Sequence, residues 1–251
     1  MFIDTHCHLT DEYDGGTDAV IQRANNVGVG TLICATANPA DFQSALQIAE
    51  KHNNIFVTIG IHPEYTNATP DDCLSENILN HPRVVGIGEI GLDYHYNTEN
   101  RDEQIKLFES QLQIAYEHNM PVAIHTRDAE NDTKAILTDR FHGVMHCFTS
   151  SWDLARTMLN RGFYFSASGI ITFKNAESVR ETFAKIPNDR IVIETDSPYC
   201  APIPYRGKKC EPYMVIETAK VLANIKNLHL DELEEILYKN TKTLYPKIEC
   251  L

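Results

Sequence analysis

The 251-residue chain is predicted to be an α/β protein folded as a (β/α)8 TIM barrel, and three observations carry that prediction. Its length suits such a barrel, which typically needs about 250 residues. Short β-rich runs alternate with helix-like segments, which implies parallel strands. Eight such runs occur, enough to close a parallel sheet on itself; an open doubly wound sheet is the competing arrangement. No linker, low-complexity segment or internal repeat interrupts the chain, so residues 1–251 read as one barrel domain.

In order, the strand-like runs are residues 2–4, 31–35, 55–61, 84–89, 121–125, 143–148, 164–168 and 190–194. Between them, Asn38 and Pro39 read as the cap and first position of a helix over 40–52, where Leu46, Ile48 and Ala49 are apolar. Residues 101–118 carry Leu107, Phe108, Leu112, Ala115 and Tyr116, the stripe of an amphipathic helix. Helices over 211–226 and 231–245 would complete the outer ring.

Composition narrows the class. With 43% apolar and 23% charged residues, the chain falls outside the disordered, collagenous and membrane classes. Its apolar runs stay far short of the roughly 18 residues that span a bilayer. Met1-Phe2-Ile3-Asp4 has neither a basic start nor an apolar signal core, so no membrane association and a cytoplasmic location are expected. Seven cysteines (7, 34, 73, 147, 200, 210 and 250), with no C-x-x-C pair, read as reduced thiols, mostly core filler, with Cys34 and Cys147 inside strands. The net charge of −13 argues against a protein that coats nucleic acid non-specifically. It does not exclude a phosphate-bearing substrate, because two divalent cations in one cleft would add about four positive charges where they matter.

The chemistry-bearing residues share one placement. His6 and His8 end strand 1, and residues two apart on a strand project to the same side. His62 ends strand 3, Glu89 strand 4, His125 strand 5 and His146 strand 6, while Asp196 follows strand 8. In an α/β barrel those ends converge on one rim, where active sites lie. Taken singly, each histidine could be a hydrogen-bonded structural residue and the aspartate a turn residue. Gathered on one rim without a cation, they would leave unpaired polar atoms and repelling charges, which points to metal binding. His52 and His118 instead sit at helix C-termini, and His81, His142 and His229 fall in connections. His95 lies just past Asp93, within possible reach of a substrate.

Six ordered motifs, spread end to end, carry a resemblance: Asp4-Thr5-His6-Cys7-His8-Leu9, Gly60-Ile61-His62-Pro63, Gly88-Glu89-Ile90-Gly91-Leu92-Asp93-Tyr94, Ile124-His125-Thr126-Arg127, His146-Cys147-Phe148 and Glu194-Thr195-Asp196-Ser197-Pro198-Tyr199. Together with Ala201-Pro202 and Arg206-Gly207-Lys208, the sequence resembles the TatD family of metal-dependent deoxyribonucleases. The resemblance implies a metallo-dependent hydrolase barrel with two divalent ions, acting on DNA. By the same resemblance, His6, His8 and Asp196 would hold one ion, His125 and His146 the other, and Glu89 would bridge both. A glutamate rather than a carbamylated lysine on strand 4 favours this branch over C–N hydrolases. One departure stands out: Cys210 replaces the usual Asn before Glu211, which puts loop order and substrate preference in question.

The mixed imidazole and carboxylate set suits zinc, manganese, iron or nickel, whereas the family is commonly magnesium-dependent. Two ions about 3.5 to 4 Å apart would activate a water and neutralise a phosphate oxygen. Asp196 is then the expected proton acceptor and, with Glu89, a catalytic residue. Arg206 and Lys208 are expected to bind a flanking phosphate. Arg127 would do the same or pair with Asp128 or another rim carboxylate, His62 and Asp93 are expected either to support the metal ligands or to face substrate, and Glu211 to contact substrate. Tyr94 and Tyr96 could stack on an unpaired base or simply pack. The expected activity is 3′-to-5′ exonuclease action on single-stranded DNA or 3′ ends, with no obligate protein partner. Removal of a D-amino acid from tRNA, or another ester or amide hydrolysis, is the alternative.

Overall fold

The computed structural model describes residues 1–10, 12–95 and 99–249. Eight parallel strands form one sheet in sequential order: β1 (Phe2–Cys7), β2 (Val29–Ala35), β3 (Ile55–Ile59), β4 (Val84–Asp93), β5 (Val122–Arg127), β6 (Gly143–Met145), β7 (Tyr164–Ala167) and β8 (Ile191–Ile193). Closure comes where β1 meets the segment after β8, through a parallel bridge between Cys7 and Ser197. The sheet is therefore a barrel, as the eightfold alternation predicts, and not an open sheet.

The strand periodicity builds two apolar layers. One residue from each of β2 to β8, namely Ile33, Phe56, Val85, Ala123, Val144, Tyr164 and Val192, clusters inside the barrel with Leu244, Tyr245 and Ile248. Their neighbours along the strands, such as Leu32, Cys34, Val57, Ile124 and Ile193, join the larger cluster beneath the outer helices. Those helices include α1 (Gly16–Asn26), α2 (Phe42–Lys51), two four-residue pieces α3 (Pro70–Cys73) and α4 (Glu76–Leu79), α5 (Arg101–Glu117), α6 (Glu130–Ile136), α7 (Trp152–Asn160), α8 (Glu177–Lys185), α9 (Val215–Lys226) and α10 (Leu230–Leu244). None of them is long and apolar enough to cross a membrane.

Several expected boundaries move. β4 does not stop at Glu89; its pairing with β5 continues from Ile90↔Ile124 to Asp93↔Arg127, so Glu89 lies mid-strand. β6 ends at Met145, which places His146 and Cys147 beyond the strand rather than inside it. β1 continues past Asp4 to Cys7. Between Asp4 and Cys7 it advances three residues where β2 advances two, Leu32 to Cys34, and this bulge redirects the strand end. His229, in the connection between α9 and α10 as expected, also caps α10, where the Glu232 side chain accepts its backbone N–H at 2.9 Å. Asn38 does cap, but the turn it starts is 3-10 before α2 begins at Phe42.

Tyr245, fully buried, closes the end of the barrel opposite the rim, and its hydroxyl has no hydrogen-bond partner among the described residues. Tyr245→Ala should therefore cost about 3–5 kcal/mol of stability through the cavity it leaves. Tyr245→Phe, which removes only that hydroxyl, should be neutral or stabilising in urea unfolding. A large loss in the Phe variant would contradict this role.

Candidate metal centre

Backbone hydrogen bonds set the rim before any side chain acts. The Asp196 N–H donates to the His6 carbonyl at 2.9 Å and the His8 N–H to the Ser197 carbonyl at 2.7 Å, so barrel closure brings His6, His8 and Asp196 together. Glu89 is tied to β2 through its N–H and the Thr36 carbonyl at 3.0 Å, and His146 to β5 through the Ile124 carbonyl at 3.0 Å. Two glycines let β4 approach its neighbours. A Cβ on Gly88 would stand 2.6 Å from that of Ala123, and one on Gly91, at φ 148°, would stand 1.9 Å from the His125 carbonyl oxygen.

The Glu89 carboxylate lies at the centre, almost fully buried. Its Oε2 faces His6 Nε2 at 3.4 Å and His8 Nε2 at 3.8 Å. Its Oε1 faces His125 Nδ1 at 2.8 Å, His146 Nε2 at 3.0 Å and His62 Nε2 at 3.7 Å. Asp196 Oδ1 completes the first side, 3.9 Å from His6 and 3.7 Å from His8. The six residues expected to hold metal thus form two adjoining groups divided by one carboxylate.

Each imidazole except that of His6 has an orienting partner on its other nitrogen. His8 Nδ1 lies 3.0 Å from the Ala35 carbonyl, an acceptor, so Nδ1 carries the proton and Nε2 is left to face the carboxylates. His125 Nε2 meets Asp93 Oδ2 at 3.0 Å, and His146 Nδ1 meets Glu194 Oε1 at 2.9 Å. Glu194 also accepts the Cys147 N–H at 2.7 Å. Asp4, beneath His6, accepts the Thr195 N–H and hydroxyl at 2.9 and 2.5 Å, and burial pushes its carboxyl up to about 8.

A divalent cation fits these residues. His6 is buried and its Nε2 has no hydrogen-bond partner among the described residues, although carboxylates face it on two sides. Such an orphan needs an explanation, and a coordinated ion supplies one. The electrostatics agree. Burial would raise the Glu89 carboxyl, yet His146, His125 and His6 hold it well below the usual range. Burial would lower His125, but Asp93 and Glu89 raise it to about 9. His62, where burial dominates, is pushed down to about 4 and is a neutral imidazole near pH 7.

The outer residues vary. Arg206 is exposed, with its guanidinium 3.8 Å above the Phe173 ring centroid, and Lys208 is exposed 5.8 Å from that of Tyr205. Arg127 is exposed at the end of β5; Asp128, its anticipated alternative partner, pairs with His95 at 2.8 Å. Glu211 does not point toward the imidazoles: it accepts from Arg23 Nε at 2.6 Å, tying the loop to α1. Cys210 packs against Ala201 and Met214, filling an apolar pocket. The Tyr94 hydroxyl donates to Asp132 at 2.7 Å. Tyr96 and Cys250 lie outside the described residues.

Four supporting roles were not assigned from the sequence, although Glu194 and Tyr199 stand in one of the six motifs. Glu194 ends an apolar run, Ile191-Val192-Ile193, where a charge is out of place, and that was the available signal. Tyr199 is 63% exposed with its ring centroid 6.1 Å from that of His8. From α5, Gln111 clamps both backbone polar groups of Ile61, at 2.8 and 2.9 Å, and Gln104 does the same for Asp93, at 2.9 and 2.8 Å. Both glutamines are buried, and their seven-residue spacing puts them on one helix face.

A family model described as TatD related DNase matches residues 3–246. YabD of Bacillus subtilis, described as an uncharacterized metal-dependent hydrolase, is 37% identical over 252 residues, covering 98% of this chain and 99% of its own. YcfH of Escherichia coli K12, with the same description, is 38% identical over 254 residues, covering 98% and 96%. The crystal structure of YjjV, a TatD homolog from Escherichia coli K12, aligns with a TM-score of 0.90 at 28% identity, covering 98% of each chain.

Glu194→Gln should lower affinity for a divalent cation by about 10–100-fold by releasing the His146 ring, with the circular dichroism spectrum unchanged. Calorimetric titration with zinc or manganese reads this out, and an unaltered affinity would mean that Glu194 only fills space.

Proposed function

Since the chain belongs to the TatD-related DNase family, we propose that this metal-dependent hydrolase cleaves DNA phosphodiesters, releasing nucleotides from the 3′ ends of single strands. One observation carries the reading: the two oxygens of Glu89 divide four imidazoles into two groups, as a carboxylate that bridges two cations would. We assign His6, His8 and Asp196 to one ion, His125 and His146 to the other, and Glu89 to both. Two such ions supply an activated water and charge neutralisation at a phosphate oxygen.

The chain's own residues do the rest. Asp196 is kept ionised: burial would raise its carboxyl, but the imidazoles of His8, His146 and His6 beside it lower it. We assign it the proton of the attacking water. His62, neutral and facing Glu89, can donate one hydrogen bond to a phosphate oxygen while its other nitrogen accepts the Glu64 N–H at 3.3 Å. Arg206, exposed and 3.8 Å from the Phe173 ring centroid, offers a bidentate fork to a flanking phosphate, with Lys208 close by in the chain. Tyr199, exposed next to His8, offers a face on which an unpaired base can stack, whereas the Tyr94 hydroxyl is tied to Asp132.

The decisive assay compares labelled single-stranded DNA with a D-aminoacyl-tRNA, before and after chelation. Mononucleotide release that chelator abolishes and a divalent metal restores is expected, and faster deacylation of the tRNA would replace this reading with ester hydrolysis. Glu89→Gln should reduce turnover by orders of magnitude. Arg206→Ala should raise KM for DNA and flatten its salt dependence by about one phosphate contact, with metal content unchanged. A KM and salt slope equal to the parent's would return Arg206 to the solvated surface.

A further inference from the structure

Beside the imidazoles, Cys147, Cys200 and Asp196 make a second group whose donor atoms all lie within 4.8 Å of one another. Both thiols are free and half-buried. Cys147 follows the end of β6, whereas Cys200 lies in the turn after β8 that the Tyr199 N–H closes onto the Asp196 carbonyl at 2.9 Å. The three residues share a backbone property: φ is 41° at Cys147, 53° at Cys200 and 57° at Asp196. Side chains with a Cβ rarely adopt that region, and three instances converge on one spot.

Asp196 presents different oxygens to the two groups. Oδ1 faces His6 and His8 at 3.9 and 3.7 Å, while Oδ2 accepts from Cys200 Sγ at 3.5 Å. On the far side of the thiol pair, Cys147 Sγ donates to Ser168 Oγ at 3.1 Å.

We propose that Cys147 Sγ, Cys200 Sγ and Asp196 Oδ2 form a separate site for one thiophilic divalent cation, of the zinc or cadmium class, joined to the imidazole centre through Asp196. Two sulfurs and one oxygen select soft ions over magnesium, calcium or manganese. With Zn–S bonds of about 2.3 Å, two sulfurs on one tetrahedral ion stand roughly 3.8 Å apart, a spacing the present arrangement admits. Three protein donors leave a fourth position for water or an anion. Binding converts two thiols to thiolates and releases their two protons to solvent, with no change of oxidation state. An ion there ligates Asp196 Oδ2 and restrains the carboxylate. Resting on the hydrolytic reading above, this makes thiophilic ions in excess inhibitory.

The test uses the full chain, stripped of metal and titrated with cadmium chloride, against Cys200→Ser and Cys200→Ala. The parent should bind one more cadmium per chain than either variant and show a cadmium–thiolate ultraviolet absorption band that both variants lack. Equal stoichiometry and equal absorption in all three proteins would overturn the site. Separately, on a small chromogenic phosphodiester, the cadmium concentration that halves the rate should rise at least tenfold in Cys200→Ser. The same concentration in both proteins would overturn the link through Asp196, and a parent without hydrolytic activity would remove the inhibition claim while the absorption band still decides the site.

Discussion

The burial of Glu89 is the constraint around which the rim is organised. A carboxylate taken out of water costs several kcal/mol unless charges and hydrogen bonds repay it, and five imidazoles stand within 4 Å of this one. Asp93, Glu194 and Asp196 surround the imidazoles in turn. So many acidic oxygens in one water-poor cleft require positive charge. Protons on His125 and His146 provide some of it, which is why burial fails to depress those two rings. Divalent cations provide more and compete for the same nitrogens. The residues that make the cleft costly are therefore the ones that give it affinity for metal.

Precision at Glu89 comes from the backbone. The extra residue in β1 and the hydrogen bonds between the His6–His8 segment and Asp196–Ser197 make barrel closure and the first half of the site one structural event. The other half depends on β4 running past Glu89 alongside β5, with Gly88 and Gly91 allowing contact no side chain could tolerate. Gln104 and Gln111 then hold two loop-entry segments from outside, using polar groups where an amphipathic helix would ordinarily place apolar ones.

What could be read from the sequence follows from period and spacing. Alternating strands and helices gave the barrel, and polar residues at apolar strand ends gave His6, His8, His125, His146 and Asp196. Extents were less accessible. Nothing local shows that β4 continues to Asp93, because Gly-Ile-Gly-Glu-Ile-Gly-Leu-Asp is a strand only by virtue of its partner β5. Long-range pairings were invisible for the same reason: Glu194 with His146, Glu211 with Arg23 and Tyr245 within the barrel each join residues more than 40 positions apart or from distant elements. Glu211 illustrates the limit of a motif, which fixes residue type and position but not the direction a side chain takes.

The central claim is that Glu89 sits between two cations, and anomalous diffraction from metal-loaded crystals tests it most directly. Two peaks about 3.5 to 4 Å apart, one against each Glu89 oxygen, are the predicted result. A single peak, or two peaks with Glu89 ligating neither or only one, would contradict the account.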